Sequence, residues 1–210
     1  GCGGGLVCEP LARLGADVTG IDATEKNIGV ANLHAEQMGL AIDYRHTTAE
    51  ALISGNVGEA SRPSEPSASE ASSHANFSRN SRGQNNNNRY DIVFALEIIE
   101  HVADIDAFLD AATALVKPGG LLFMSTLNRT AKSYALAIVG AEYVLRWLPR
   151  GTHHWNKFIK PSELVLPLEA SGLKTEALTG LTFNPLSREW RLNEQDVSVN
   201  YMLAAVKTAE

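Results

Sequence analysis

The sequence predicts an α/β fold built on a doubly wound, mostly parallel sheet with an antiparallel edge. Three observations carry that expectation. A glycine-rich loop, Gly1 to Gly5, runs straight into a helical stretch; short apolar runs alternate with segments of helical length; and a Lys117-Pro118-Gly119-Gly120 turn separates one such helix from the strand after it. Taken in order, Leu6 to Leu14 reads as a helix with Leu6, Val7, Leu11 and Leu14 on its buried stripe, ended by Gly15. Val18 to Ile21 is a strand closed by Asp22. Thr24 is positioned as the N-cap of a helix carrying Ile28, Ala31, Ala35 and Met38 up to Gly39, and Ala41 to Arg45 is the next strand. Residues 54 to 89 interrupt the rhythm with Ser, Asn, Glu, Gly and Arg, too little apolar surface to offset ordering entropy, and read as a disordered insertion. Asp91 to Ala95 resumes as a strand, Ile105 to Val116 as an amphipathic helix and Leu121 to Thr126 as a strand. Pro161 to Ala170 reads as a helix, and Leu173 to Leu181 and Val199 to Val206 as edge strands that add antiparallel pairing.

Bulk properties narrow the function. With 210 residues, 44% hydrophobic and 20% charged, the chain suffices for one domain with a full core. A net charge of −6 and scattered Lys and Arg leave no electrostatic footprint for nucleic acid. Cys2 and Cys8 lack zinc-type spacing and make no disulfide framework, which fits a reducing compartment. No run approaches the ~18 uninterrupted apolar residues of a membrane-spanning helix.

Two places carry chemistry. In the loop, Gly1, Gly3, Gly4 and Gly5 let backbone approach a ligand closely, and Asp22 stands where nucleotide-binding α/β proteins place an acid for ribose hydroxyls. The spacing Gly1-x-Gly3-x-Gly5 is tighter than the dinucleotide fingerprint and favours a cofactor with ribose but no pyrophosphate, such as S-adenosylmethionine. The second place is Leu96-Glu97-Ile98-Ile99-Glu100-His101 at the end of a strand. If it opens a helix, Glu97, Glu100 and His101 share one face. They could then hold a divalent cation through hard oxygens and one nitrogen, or His101 could act alone as a general base. A charged helix start beside a sheet is the plain alternative.

The segments GCGGG, VTGID, EIIEHV, LVKPGG, STLNRTAKSYALAIVGAEYVLR, GTHHWNKFIKP and VNYML resemble, in order, those of the ubiquinone-biosynthesis O-methyltransferases of the class I S-adenosylmethionine-dependent superfamily. The resemblance covers nearly all of the chain except residues 54 to 89. It implies a Rossmann-like methyltransferase sheet, with Gly1, Gly3, Asp22 and Leu96 against S-adenosylmethionine. It also implies that Glu97, Glu100 and His101 bind magnesium or a similar ion, which would favour the phenolate of a phenol whose ordinary pKa is near ~10. A general-base role for His101 without metal stays open beside this, with His153 as a second candidate base. The implied substrates are polyprenyl catechols or phenols. Ser133 to Leu148, within a segment 129–160, is expected to be a lid or to lie on a membrane surface. The resemblance further implies contact with other quinone-biosynthesis proteins and a peripheral place on the matrix side of the mitochondrial inner membrane, or on the cytoplasmic membrane in a bacterium. In that family a first central strand precedes the glycine loop. It is missing from these residues, so a truncated domain that folds poorly unaided is expected. Two rivals remain: an O-methyltransferase of another small phenol, and a noncatalytic scaffold subunit of a quinone-synthesis complex.

Overall fold

The computed structural model describes residues 1–55, 89–144, 149, 151, 154–184 and 188–209. The expected insertion and His153 therefore lie outside the described residues, the insertion except at its two ends. The chain forms two compact units, Gly1–Asn88 and Arg89–Glu210.

In the first unit α1 (Cys8–Arg13) leads to β1 (Thr19–Asp22), α2 (Glu25–Gln37), β2 (Asp43–His46) and α3 (Ala49–Ser54). β1 and β2 pair in parallel, Thr19 against Asp43 through Asp22 against His46. The crossover helix α2 buries Ile28, Ala31 and Ala35 against Cys8 and Tyr44, with Cys2, Val18, Leu40 and Ile42 packed around them. The expected stripe on α1 is corrected: Leu6 and Leu14 are 85% and 84% exposed, and Val7 is also exposed. The helix starts two residues later than expected, so Leu6 falls outside it, and Cys8 and Glu9 are its buried residues. Helix α3 is an addition to the expected elements. Thr48 caps it by accepting from the Ala51 N–H at 3.2 Å, and Gly55 ends it at φ 73°.

The second unit runs β3 (Tyr90–Leu96), a 3₁₀ turn (Ile99–His101), α4 (Ile105–Leu115), β4 (Val116–Leu127), α5 (Ala131–Ser133), a π-helical run (Tyr134–Val144), a 3₁₀ turn (Trp155–Lys157), α6 (Pro161–Ala170), β5 (Leu173–Asn184), β6 (Glu189–Asn193) and β7 (Asn200–Lys207). Its sheet has the order β3-β4-β7-β5-β6; β3 and β4 are parallel, and the pairs from β4 outward are antiparallel. Asp104 starts α4 by accepting from the Ala107 N–H at 3.0 Å. No basic residue lies in the last turn of α4, and Lys207 of β7 serves instead, donating to the carbonyls of Thr113 and Val116 at 2.8 and 3.1 Å. The expected Lys117-Pro118-Gly119-Gly120 turn is absorbed into β4 as a bulge: Tyr90 pairs with Val116, and pairing resumes only at Ile92 with Leu121.

One face of this sheet is dry. Leu122, Met124, Leu203 and Ala205 are wholly buried there, sharing the face with Thr126 and Tyr201, beneath α4 and α6. The opposite face carries Phe123, stacked on Phe94 at 5.1 Å, and then Ser125. β6 is a further addition. Its residues are exposed almost throughout, which removes the apolar alternation that betrays a strand.

Tyr44 sets a testable limit in the first unit. Its ring lies so close to Gly20 that a Cβ there would stand 2.6 Å from both Cδ1 and Cε1. Gly20→Ala is therefore expected to destabilise the fold by about 1–3 kcal/mol, measured by denaturant unfolding.

Candidate functional site

The loop geometry begins with backbone. The Cys2 N–H donates to the Ile21 carbonyl at 2.8 Å and the Gly5 N–H to the Cys2 carbonyl at 3.0 Å, which folds the loop over the end of β1. Gly3 adopts φ 54°, and a Cβ on it would meet nothing within 4 Å, so this position both needs glycine and leaves room for a ligand. Its N–H donates to Asp22 Oδ2 at 2.9 Å. The other carboxylate oxygen, Oδ1, accepts from the Thr24 N–H at 2.9 Å and from Asn27 Nδ2 at 3.1 Å.

Asp22 is thus buried but held by three donors. Burial pushes its pKa up, and the bonds from Gly3, Thr24 and Asn27 outweigh that, leaving it below the ordinary carboxylate value. It remains an ionised acceptor at neutral pH. Of roughly four lone-pair sites on a carboxylate three are engaged, which leaves capacity for a further hydroxyl. Gly3 and Asp22 therefore fit a ribose-bearing cofactor on one side of the loop. Asn27 is a site residue that the sequence reading omits; an amide in the first turn of the helix after such an acid is the signal for it. Thr24 stands at the N-cap of α2 as expected, but without a side-chain capping bond: the Asn27 N–H donates to the Thr24 carbonyl instead, at 3.0 Å, while the Thr24 N–H goes to Asp22.

In the second unit the chain leaves β3 at Leu96 and turns at Glu97, whose φ of 50° lies in the left-handed region. A residue there cannot be the first of an α-helix, and the next element is only the 3₁₀ turn Ile99–His101. The expected shared helical face of Glu97, Glu100 and His101 is therefore corrected. Ser125 pins the turn: its carbonyl and hydroxyl both accept from the Glu97 N–H, at 3.0 and 3.2 Å, and its hydroxyl donates to Glu97 Oε1 at 2.7 Å. Glu100 is buried, and its Oε2 accepts from Thr126 Oγ1 at 2.8 Å.

Ser125 and Thr126 are consecutive residues of a regular ladder, so they point to opposite faces and draw the two carboxylates apart. His101 is exposed. Among the described residues no group of three or more His, Cys, Asp or Glu is placed to hold a metal ion. The carboxylates still sense each other: burial raises the Glu97 pKa and the charge of Glu100 raises it further, against the Ser125 bond. Tyr201, wholly buried beside Thr126, has its phenol pushed up by burial and by the charges of Glu163, Glu100 and Glu97. Hard oxygens, one imidazole and unrelieved negative charge suit a divalent cation in kind, while the arrangement does not gather them around one point.

The segments after β4 assemble at the same end of the sheet. The Ile159 N–H donates to the Leu127 carbonyl at 3.0 Å, Asn128 Nδ2 to the Val197 carbonyl at 2.9 Å, and Trp155 Nε1 to the Thr130 carbonyl at 2.9 Å. Leu127, Ile138 and Phe158 form a small core, and Tyr134 meets Trp155 edge to face at 6.3 Å. Leu136 and Val139 of the π-helical run are exposed, and no helix among the described residues is long and apolar enough to cross a membrane. Long π-helical runs are rare and cluster at functional sites. This rim, at the carboxyl ends of β3 and β4, is where open α/β sheets bind ligands.

Known proteins agree with this anatomy. Residues 1–178 match a family model described as a methyltransferase domain. The chain is 50% identical over 209 residues to the ubiquinone biosynthesis O-methyltransferase of Dinoroseobacter shibae, covering 100% of this chain and 72% of that protein. It is 48% identical over 209 residues to the one from Brucella anthropi, covering 100% and 71%. Among solved structures, a SAM-dependent methyltransferase from Methanosarcina mazei superposes with a TM-score of 0.61 at 17% identity, over 100% of this chain and 91% of that one. Magnesium protoporphyrin IX methyltransferase from Synechocystis with bound SAH does so at 0.58 and 19% identity, over 99% and 71%. The fold is thus the Rossmann-like α/β fold of S-adenosylmethionine-dependent methyltransferases, and the chain belongs to the ubiquinone biosynthesis O-methyltransferase family.

Proposed function

We propose that this chain transfers the methyl group of S-adenosylmethionine to a phenolic oxygen of a prenylated catechol-type intermediate of ubiquinone biosynthesis. The observation that carries the reading is identity of about one half, along the whole chain, to relatives named for that O-methylation. Bound S-adenosylmethionine supplies an already activated methyl group, so the chain's own task is to orient the reactants and manage one proton. Asp22, kept ionised by Gly3, Thr24 and Asn27, accepts from the ribose, and the open side of Gly3 admits the cofactor. Where no cation is bound, His101, exposed at the β3 rim, takes the phenol proton.

A divalent cation is the finer part of the proposal. Glu97, Glu100 and His101 would hold it, and it would favour phenolate over phenol. Its support is the donor set and the mutual charge of the two carboxylates, and binding has to draw His101 in from solvent. The exposed Leu136 and Val139, beside the Leu127, Ile138 and Phe158 core, support a surface that admits a prenyl tail or rests on lipid.

Four measurements test this reading. Asp22→Asn is expected to weaken S-adenosylmethionine binding roughly 10- to 100-fold by calorimetry, the loss for a charge-assisted bond. Because the folded pKa of Asp22 is depressed, its contribution to stability is full above the unfolded value of ~3.9 and disappears as pH falls through the lower folded value. The acid limb of the unfolding curve should therefore flatten in Asp22→Asn.

Ser125→Ala is expected to lower kcat about 10- to 100-fold with little change in cofactor affinity, since Ser125 orders Glu97 and not the glycine loop. Unchanged kcat would remove Glu97 from the site.

Full-length enzyme stripped with a chelator is expected to lose methyl transfer to a prenylated catechol and regain it with magnesium. Full activity in chelator sinks the cation and leaves O-methylation standing. Absence of both cofactor binding and transfer would favour the scaffold reading, and transfer only to unprenylated phenols the other rival.

A further inference from the structure

We propose that the outer edge of β6 joins a second copy of this chain, the two β6 strands pairing antiparallel with Trp190 on the two-fold axis. The arm that carries this edge lacks support of its own. Gly180 is the last residue of β5 to pair with β7, opposite Tyr201, and from Leu181 to Asn184 β5 pairs with β6 alone. The end of the hairpin is therefore a two-stranded ribbon, which is marginally stable in water by itself and persists once further strands extend its apolar face. β6 is the last strand of its sheet, and among the described residues no strand pairs with its outer edge.

The usual protections of an edge are missing. Border strands are blunted by Lys, Pro or a bulge, or are covered. β6 reads Glu189-Trp190-Arg191-Leu192-Asn193, with neither Lys nor Pro, and its register with β5 runs unbroken from Gly180 opposite Asn193 to Asn184 opposite Glu189. By alternation Leu181, Phe183, Trp190 and Leu192 share the face of Ser125, while Glu189 and Arg191 take the face of Tyr201. Trp190 and Leu192 are 61% and 67% exposed, and the Phe183 ring leans on Trp190 at 5.1 Å.

Charge selects both the occupant and the register. Within one chain Glu189 and Arg191 meet at 2.8 Å with both side chains exposed, and a surface pair of that kind adds little. With Trp190 on the axis, antiparallel pairing sets Glu189 of each copy opposite Arg191 of the other, twice over, and Trp190 opposite Trp190. The Phe183 and Trp190 rings of the two copies then form one aromatic row. Shifting the axis by one residue sets like charges directly opposite each other, Arg191 against Arg191 in one direction and Arg188 against Arg188 in the other. The strand is thus complementary to itself in one register and repelled in its neighbours. Five residues a side fall well short of the roughly 20–30 a side of a stable interface, so the dimer is expected to be reversible.

The test is sedimentation equilibrium of the full-length protein across the micromolar range. Wild type is expected to rise from one copy to two with concentration. Glu189→Arg and Arg191→Glu each set like charges opposite one another and are each expected to stay at one copy, with circular dichroism and melting unchanged because both side chains are exposed. An equimolar mixture of the two variants restores both opposite-charge pairs and should sediment as a dimer. A single copy of wild type at every concentration, a dimer that survives either substitution, or a mixture that stays monomeric each overturns the proposal.

Discussion

The second unit depends on how the last residues of β4 are held. Ser125 takes the Glu97 turn, Thr126 takes Glu100, Leu127 receives the Ile159 N–H, and Asn128 reaches the Val197 carbonyl. Four consecutive residues, the last of them just past the strand, thus fix three separate segments. A strand can do this because its side chains alternate between faces while its backbone pairs with β3 on one edge and β7 on the other. The cost is visible at Glu97. A non-glycine residue in the left-handed region is disfavoured by about 1–2 kcal/mol, and it persists because Ser125 makes three hydrogen bonds to that one residue. That backbone conformation, held by those bonds, fixes where the Glu97 side chain leaves the strand end.

The first unit solves a similar problem with an acid. Asp22 ends β1 and collects the loop through Gly3 and the start of α2 through Thr24 and Asn27. A neutral residue there would leave three donors competing for weaker acceptors in a buried place. The glycines divide the labour: Gly3 faces open space, whereas Gly5 and Gly20 exist to let the Tyr44 ring approach. A glycine loop read only as a ligand cradle is therefore half a core-packing device.

Much of this is legible in sequence. Helices α2, α4 and α6, the pairing strands and the loop acid all rest on periodicity, caps and punctuation, which are local signals. Two of the misses share a cause. Whether Glu97 to His101 becomes a helix or a tight turn is decided by Ser125, 28 residues away, and no spacing within the hexapeptide contains that information. Similarly, the Pro118-Gly119-Gly120 run is a sound turn signal, but β3 recruits the residues on both sides of it and converts a turn into a bulge.

The same distinction explains the carboxylate trio. Spacing i, i+3, i+4 predicts a common face only if the backbone between is helical, and a single left-handed residue at the start cancels the premise. The part that survives is electrostatic and not geometric: two carboxylates near enough to raise the proton affinity of Glu97, each already engaged by a hydroxyl. A cation entering such a place would compete with Ser125 and Thr126 for the same oxygens. The hydroxyls therefore set the strength of any ion bound there, and β4, which places both of them, governs the electrostatics of the rim as well as its shape.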